Sequence, residues 1–146
     1  MKFPRFCAAV LSLALTGIVE ARAVRTWSDQ ELFDKSDLVV IATPTATSDT
    51  KEHGAHTSRD DQPVIGVDTK FAVTSVLKGE KDTKTVILHH YRADTMEVPN
   101  APTFVSFALK KKRTFRLFLV RQADGRYAPV AGQLDPDMSI RPVTKQ

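Results

Sequence analysis

Apolar and polar residues alternate with a period of two through much of the chain, and the longest such run lies between Val67 and Arg92. Val67, Thr69, Phe71, Val73, Ser75 and Leu77 fall on one face of an extended segment. Asp68, Lys70, Ala72, Thr74 and Val76 fall on the other. Successive side chains of a strand point to opposite faces, so this spacing predicts a strand with one covered face. Lys78-Gly79-Glu80-Lys81-Asp82 is a polar turn. Beyond it Val86, Leu88 and His90 alternate with Ile87, His89 and Tyr91, which predicts a second long strand and a hairpin. Val86 to Leu88 is apolar on both faces, so this strand is expected to be central.

The same pattern assigns the remaining segments. Asp37 to Thr43 is a strand without a wet face, because Leu38, Val39, Val40 and Ile41 follow one another; Pro44, lacking an N–H, is expected to end it. Thr103 to Leu109 is extended. Phe115 to Arg121 is a strand with Phe115, Leu117 and Leu119 facing the core, so Phe118 and Val120 need cover on the other side. Ala123-Asp124-Gly125-Arg126 is a tight hairpin turn into Tyr127–Val130, a short strand that Pro129 marks as an edge or an end. Ser28 and Glu31 have the spacing of a capping box and predict a short helix over Ser28–Lys35, anchored by Trp27. Thr45 to Pro63 is polar but for Ala46 and Ala55 and reads as a long connection, functional or disordered, whose start continues the first strand for a few residues. Five or six strands and one short N-terminal helix make an all-β fold, a small, partly open antiparallel barrel whose closure removes exposed edges.

The first residues change the picture of where this fold begins. Lys2 and Arg5 precede an apolar run from Phe6 to Val19, and Ala21-Arg22-Ala23 has the small-x-small form of a cleavage site. This is the layout of a secretory signal peptide over residues 1–23, leaving a single domain over 24–146. The run is short for a membrane span, which needs about 20 apolar residues, so no transmembrane segment is expected after cleavage. Cys7 leaves with the leader, and the remainder has no disulfide. Removing Lys2, Arg5, Arg22 and Glu20 lowers the formal charge from +4 to about +2. That is an ordinary solubility charge and not a nucleic-acid footprint. A secreted or periplasmic location follows.

Four pieces of the chain carry a resemblance. They are Ser36-Asp37-Leu38-Val39-Val40-Ile41-Ala42, Phe71-x-Val73-x-x-Val76-Leu77-Lys78-Gly79, Phe115-x-Leu117-Phe118-Leu119, and Asp124-Gly125-Arg126-Tyr127-x-Pro129-Val130-x-Gly132. In this order they resemble a bacterial exported domain of unassigned function, which is similar to netrin-like domains and tissue inhibitors of metalloproteinases. The resemblance implies an OB-type barrel. It transfers no inhibitory residue, because those inhibitors act through an N-terminal cysteine that this chain lacks. Lys110 to Arg113 also stands where the bacterial pattern has proline or glycine.

Candidate chemistry is sparse. His53 and His56 are three apart, so a helical turn would bring them to one side, where Asp60 would complete a zinc site. Their spacing is not that of a His-Glu-x-x-His protease. His89 and His90 are neighbours in a strand and face opposite sides, which suits hydrogen-bonded sheet histidines better than shared ligands. There is no Gly-x-Ser-x-Gly elbow and no phosphate-binding glycine loop. The one concentrated charge is Lys110-Lys111-Lys112-Arg113, which with Arg92, Arg116 and Arg121 would form a basic patch beside Phe104, Phe107 or Phe118. The expected function is therefore a non-catalytic binding or structural domain. Its partner would be a protein or an anionic envelope polymer rather than nucleic acid, and no cofactor is needed. The alternative is a metal-dependent or other hydrolase built on the His53/His56 loop, with zinc as its cofactor.

Overall fold

The computed structural model describes residues 25–56, 62–94, 104–133 and 135–144. The chain opens with helix α1 (Asp29–Lys35), and the capping box forms as its spacing predicts. The Ser28 hydroxyl accepts from the Glu31 backbone N–H at 3.2 Å, and a Glu31 carboxylate oxygen accepts from the Ser28 N–H at 3.0 Å. Leu32 is the buried residue of the helix. It packs with Val39 and Phe118, and Trp27, Val130 and Ala131 close around them. This small cluster is the cover that the outward face of Phe118 requires.

Six strands follow: β1 (Leu38–His56), β2 (Gln62–Lys78), β3 (Thr85–Ala93), β4 (Phe115–Arg121), β5 (Tyr127–Pro129) and β6 (Ile140–Pro142). They lie in the order β1-β2-β3-β5-β4-β6, and a further pairing of β1 with β4 closes the first five into a ring. The fold is thus an all-β barrel with one extra strand and one short helix. Leu38 to Ala42 pair with Leu119 to Phe115, and Phe71 pairs with Val86 across the β2–β3 ladder. The ring is thinnest between β3 and β5, a parallel junction through Leu88 and Tyr127 alone. Leu38, Val40, Phe71, Val86, Leu88, Leu117 and Leu119 fill the interior. Alternation explains the sides: Val40 faces this interior while Val39 faces α1, and both are fully buried. Phe107, from an irregular segment ahead of β4, packs edge-on against Phe71, His90 and Phe115 at ring separations of 5.0–5.4 Å. Gly79 begins the β2–β3 turn at φ 99°, and a side chain there would meet the Asp37 carbonyl at 2.9 Å. Among the described residues no helix is long and apolar enough to cross a membrane.

Three segments differ from expectation. Pro44 does not end β1: it keeps its place opposite Phe71, Thr45 bulges before Ala46 resumes the register, and β4 no longer pairs with β1 beyond Ala42, so the missing N–H falls at an edge. Most of the supposed connection Thr45–Pro63 is strand, with β1 running on to His56 and β2 starting at Gln62. It is polar because it lies outside the ring: beyond Ala42, β1 has β2 on one side and no paired strand on the other among the described residues. Threonine hydroxyls serve this ribbon, Thr45 donating to the Lys70 carbonyl at 3.1 Å and Thr47 bonding Thr69 at 3.0 Å. Residues 104–108 are irregular, and Leu109–Lys111 form a 3-10 turn in place of a strand end.

Candidate functional site

The basic run lies where the 3-10 turn Leu109–Lys111 hands the chain to β4. The Lys111 and Lys112 amides bond back to the Ala108 and Leu109 carbonyls at 3.0 and 3.2 Å, and Lys112 takes up a left-handed conformation at φ 44°. Among the described residues it is the one non-glycine with positive φ. Such a conformation is uncommon for a side-chain-bearing residue and costs free energy that surrounding structure must offset. Lys110, Lys111, Lys112 and Arg113 are all exposed, and none has an ion-pair partner among the described residues. Lys111, Lys112 and Arg113 line one side of an open groove of about 560 Å³, and Pro142, Val143 and Thr144 line the other. The Val143 amide, bonded to the Thr114 carbonyl at 2.9 Å, sets that second wall. A second groove of about 390 Å³ shares Pro142 and continues over Phe104, Phe107, Phe115 and Ile140, with Asp137 and Arg141 at its side.

Of the other cations expected in this patch, Arg121 stands at the far end of β4, where its amide donates to Asp37, and Arg92 and Arg116 are committed elsewhere. Arg92 makes a two-pronged pair with Asp49 at 2.9 and 2.5 Å, which holds the Asp49 carboxyl below its usual range and raises the guanidinium. Asp49 lies seven residues beyond the Ala42–Phe115 pair, about 20 Å along the strand. Arg116 lies over the Phe118 ring and pairs with Asp29 of α1 at 3.4 Å, and Arg141 pairs with the same carboxylate. Phe104 and Phe107 line the second groove, which adjoins the basic one at Pro142, whereas Phe118 packs against the helix.

His53 and His56 lie in β1, so the helical turn that would bring them together is not formed. His53 is exposed, and its Nδ1 stands 3.8 Å from Asp94 Oδ2. Asp60 lies outside the described residues. Among the described residues no three His, Cys, Asp or Glu side chains are placed to hold a metal ion.

His89 and His90 do face opposite sides, and each is buried. His90 points inward, where Thr69 bonds its Nε2 at 2.8 Å and Thr47 bonds Thr69 in turn. Burial holds it neutral, lowering its pKa from 6.5 to about 4. His89 points outward into a polar network that alternation alone does not reveal. Its Nε2 faces Glu52 Oε2 at 3.0 Å and its Nδ1 faces Asp68 Oδ1 at 2.9 Å. Arg126 Nη1 reaches both that nitrogen and Asp68 Oδ1, and its other nitrogens hold Asp124 at 2.7–2.8 Å. That bond is the main reason the Asp124 carboxyl lies below its ordinary range. The Tyr91 hydroxyl donates to Glu52 at 2.6 Å, and burial followed by that bond pushes the phenol up to about 12.

Glu52 reaches His89 because β1 bulges. Asp49 pairs with Val67 and His53 with Ile65, so Thr50 to Glu52 stand against Gly66 alone, an excess of two residues that folds over β2. They cross Gly66, where a Cβ would stand 2.5 Å from Thr50 Oγ1 and 3.1 Å from Glu52 Cβ. The network ties the bulge, β2, β3 and the β4–β5 turn together. With both ring nitrogens engaged and the side chain 3 % exposed, His89 has no free face from which to act on a substrate. No protein-family model matches the chain, and no curated protein matches it.

Proposed function

We propose that this protein is an exported, non-catalytic binding domain whose basic turn, Lys110 to Arg113, receives an anionic partner. The observation that carries the reading is four consecutive exposed cations without ion-pair partners among the described residues, three of them lining a groove. Arg92, Arg116, Arg126 and Arg141, by contrast, each hold a carboxylate. Unpaired charge concentrated on a low net charge attracts a partner locally. The left-handed Lys112 supports the same reading, since it fixes the direction of the turn.

Export through a leader over residues 1–23 belongs to this proposal, as does kinship with netrin-like barrels, whose support is the order of the four motifs. The hydrolase alternative has less behind it, because its two histidines lie in a strand. The test is retention on an immobilised anionic polymer across a salt gradient. Neutralising Lys110, Lys111 and Lys112 to alanine should weaken retention and flatten its salt dependence. Equal retention of both proteins at low salt would refute the reading.

A further inference from the structure

We propose that the ligand of the basic groove is an acidic polysaccharide, with its carboxylate or sulfate groups against Lys111, Lys112 and Arg113 and its sugar rings over Phe104. This rests on the binding reading and narrows it to one class of ligand. Pro142 lines both grooves, so they adjoin at that residue and a polymer several rings long lying in the first can reach the second. The first wall is cationic and the second aromatic, which matches a polymer that alternates charge with rings having apolar faces. Phe104 is half-buried and stands apart from the interior cluster that includes Phe107 and Phe115, so its ring is available at the groove.

Asp137 distinguishes sugar from phosphate. Its carboxylate is exposed at the aromatic groove and has no hydrogen-bond or ion-pair partner among the described residues. A carboxylate accepts hydrogen bonds only, so it takes sugar hydroxyls as donors and repels anionic oxygens, whether of phosphate, sulfate or carboxylate. A nucleic-acid strand would bring a phosphate at every step past this residue. A polysaccharide with one charge per repeat brings an uncharged, hydroxyl-bearing ring between its anions.

The test uses three probes with the folded protein: a size-defined, unsulfated glycosaminoglycan whose only charges are the uronate carboxylates of alternate rings, inorganic polyphosphate of similar charge, and a single-stranded oligodeoxynucleotide. Affinities are measured for the wild type, the triple variant Lys111→Ala, Lys112→Ala, Arg113→Ala, and the single variants Phe104→Ala and Asp137→Asn. Circular dichroism verifies that each folds, and Asp137→Asn preserves shape. The proposal expects the triple variant to lose affinity for every polyanion. Phe104→Ala and Asp137→Asn should each weaken the glycosaminoglycan about tenfold, the effect of one charge-assisted hydrogen bond or stacked ring. Asp137→Asn should leave polyphosphate binding equal or tighter. If the triple variant weakens binding but the two single variants treat all probes alike, the polysaccharide assignment falls and the binding reading stands. If the oligonucleotide binds more tightly than the glycosaminoglycan, the assignment falls in favour of nucleic acid. If the triple variant binds every probe as the wild type does, both fall.

Discussion

Acid should unfold this barrel through His90 before its surface carboxylates matter. The imidazole is enclosed by Thr69 and Phe107, and burial holds its pKa at about 4 against 6.5 when free. The facing charges work in opposite senses: His89 lowers the value further and Asp68 raises it, both less than burial does. A histidine whose folded pKa lies below its unfolded value costs nothing above pH 6.5, where both states are neutral. Between 6.5 and 4 the unfolded chain takes up a proton that the folded chain refuses, so stability falls with pH. Each pH unit in that window removes about 1.4 kcal/mol. The loss between pH 7 and 5 is about 2 kcal/mol, and it levels off near 3 kcal/mol below pH 4.

Urea unfolding measures this directly. Trp27 is the sole tryptophan and packs against the Leu32, Val39 and Phe118 cluster, so its fluorescence reports loss of the fold. Midpoints taken from pH 7.5 to 4.5 for the wild type and His90→Phe yield two curves. Phenylalanine fills a similar space, and Thr69 retains its bond to Thr47. The difference between the two curves should follow the one-proton slope down to pH 5, the other titrating groups being common to both proteins. Parallel curves would show that His90 takes its proton in the folded state, and the account of a neutral interior histidine would fail.

Two further substitutions test local parts of the fold. Gly66→Ala places a Cβ 2.5 Å from Thr50 Oγ1 and should cost about 1–3 kcal/mol by pushing the bulge off β2; an unchanged urea midpoint would mean that the crossing is looser than described. Ser28→Ala removes the hydroxyl of the capping box and should cost about 1 kcal/mol, read as a lower thermal midpoint, while Ser28→Gly should cost only a few tenths.

What the chain discloses before folding depends on how near in sequence the determining partners are. The capping box needs only Ser28 and Glu31, and the β2–β3 hairpin needs only its own alternation, so both are legible. Val39 and Val40 announce a strand covered on both faces, and Phe118 announces a missing cover, although neither says that α1 supplies it. The outer half of β1 is illegible for a physical reason. Its residues are polar because the ribbon leaves the barrel, and a polar strand held by one neighbour has the composition of a loop. Only the register with β2 decides its conformation. The His89 network is harder still, because Glu52, Asp68 and Arg126 come from three separate elements and meet through a two-residue excess in β1. The paired histidines and the Asp at position 68 inside an alternating strand were the available signals, and neither names a partner. The basic run is the reverse case. Its charges are visible as four consecutive letters, but the groove beside them needs β6, whose three residues carry no pattern of their own. Charge is local and concavity is not, so the residues of the candidate site could be named from the chain, while its ligand class can be argued only with Pro142 lining both grooves.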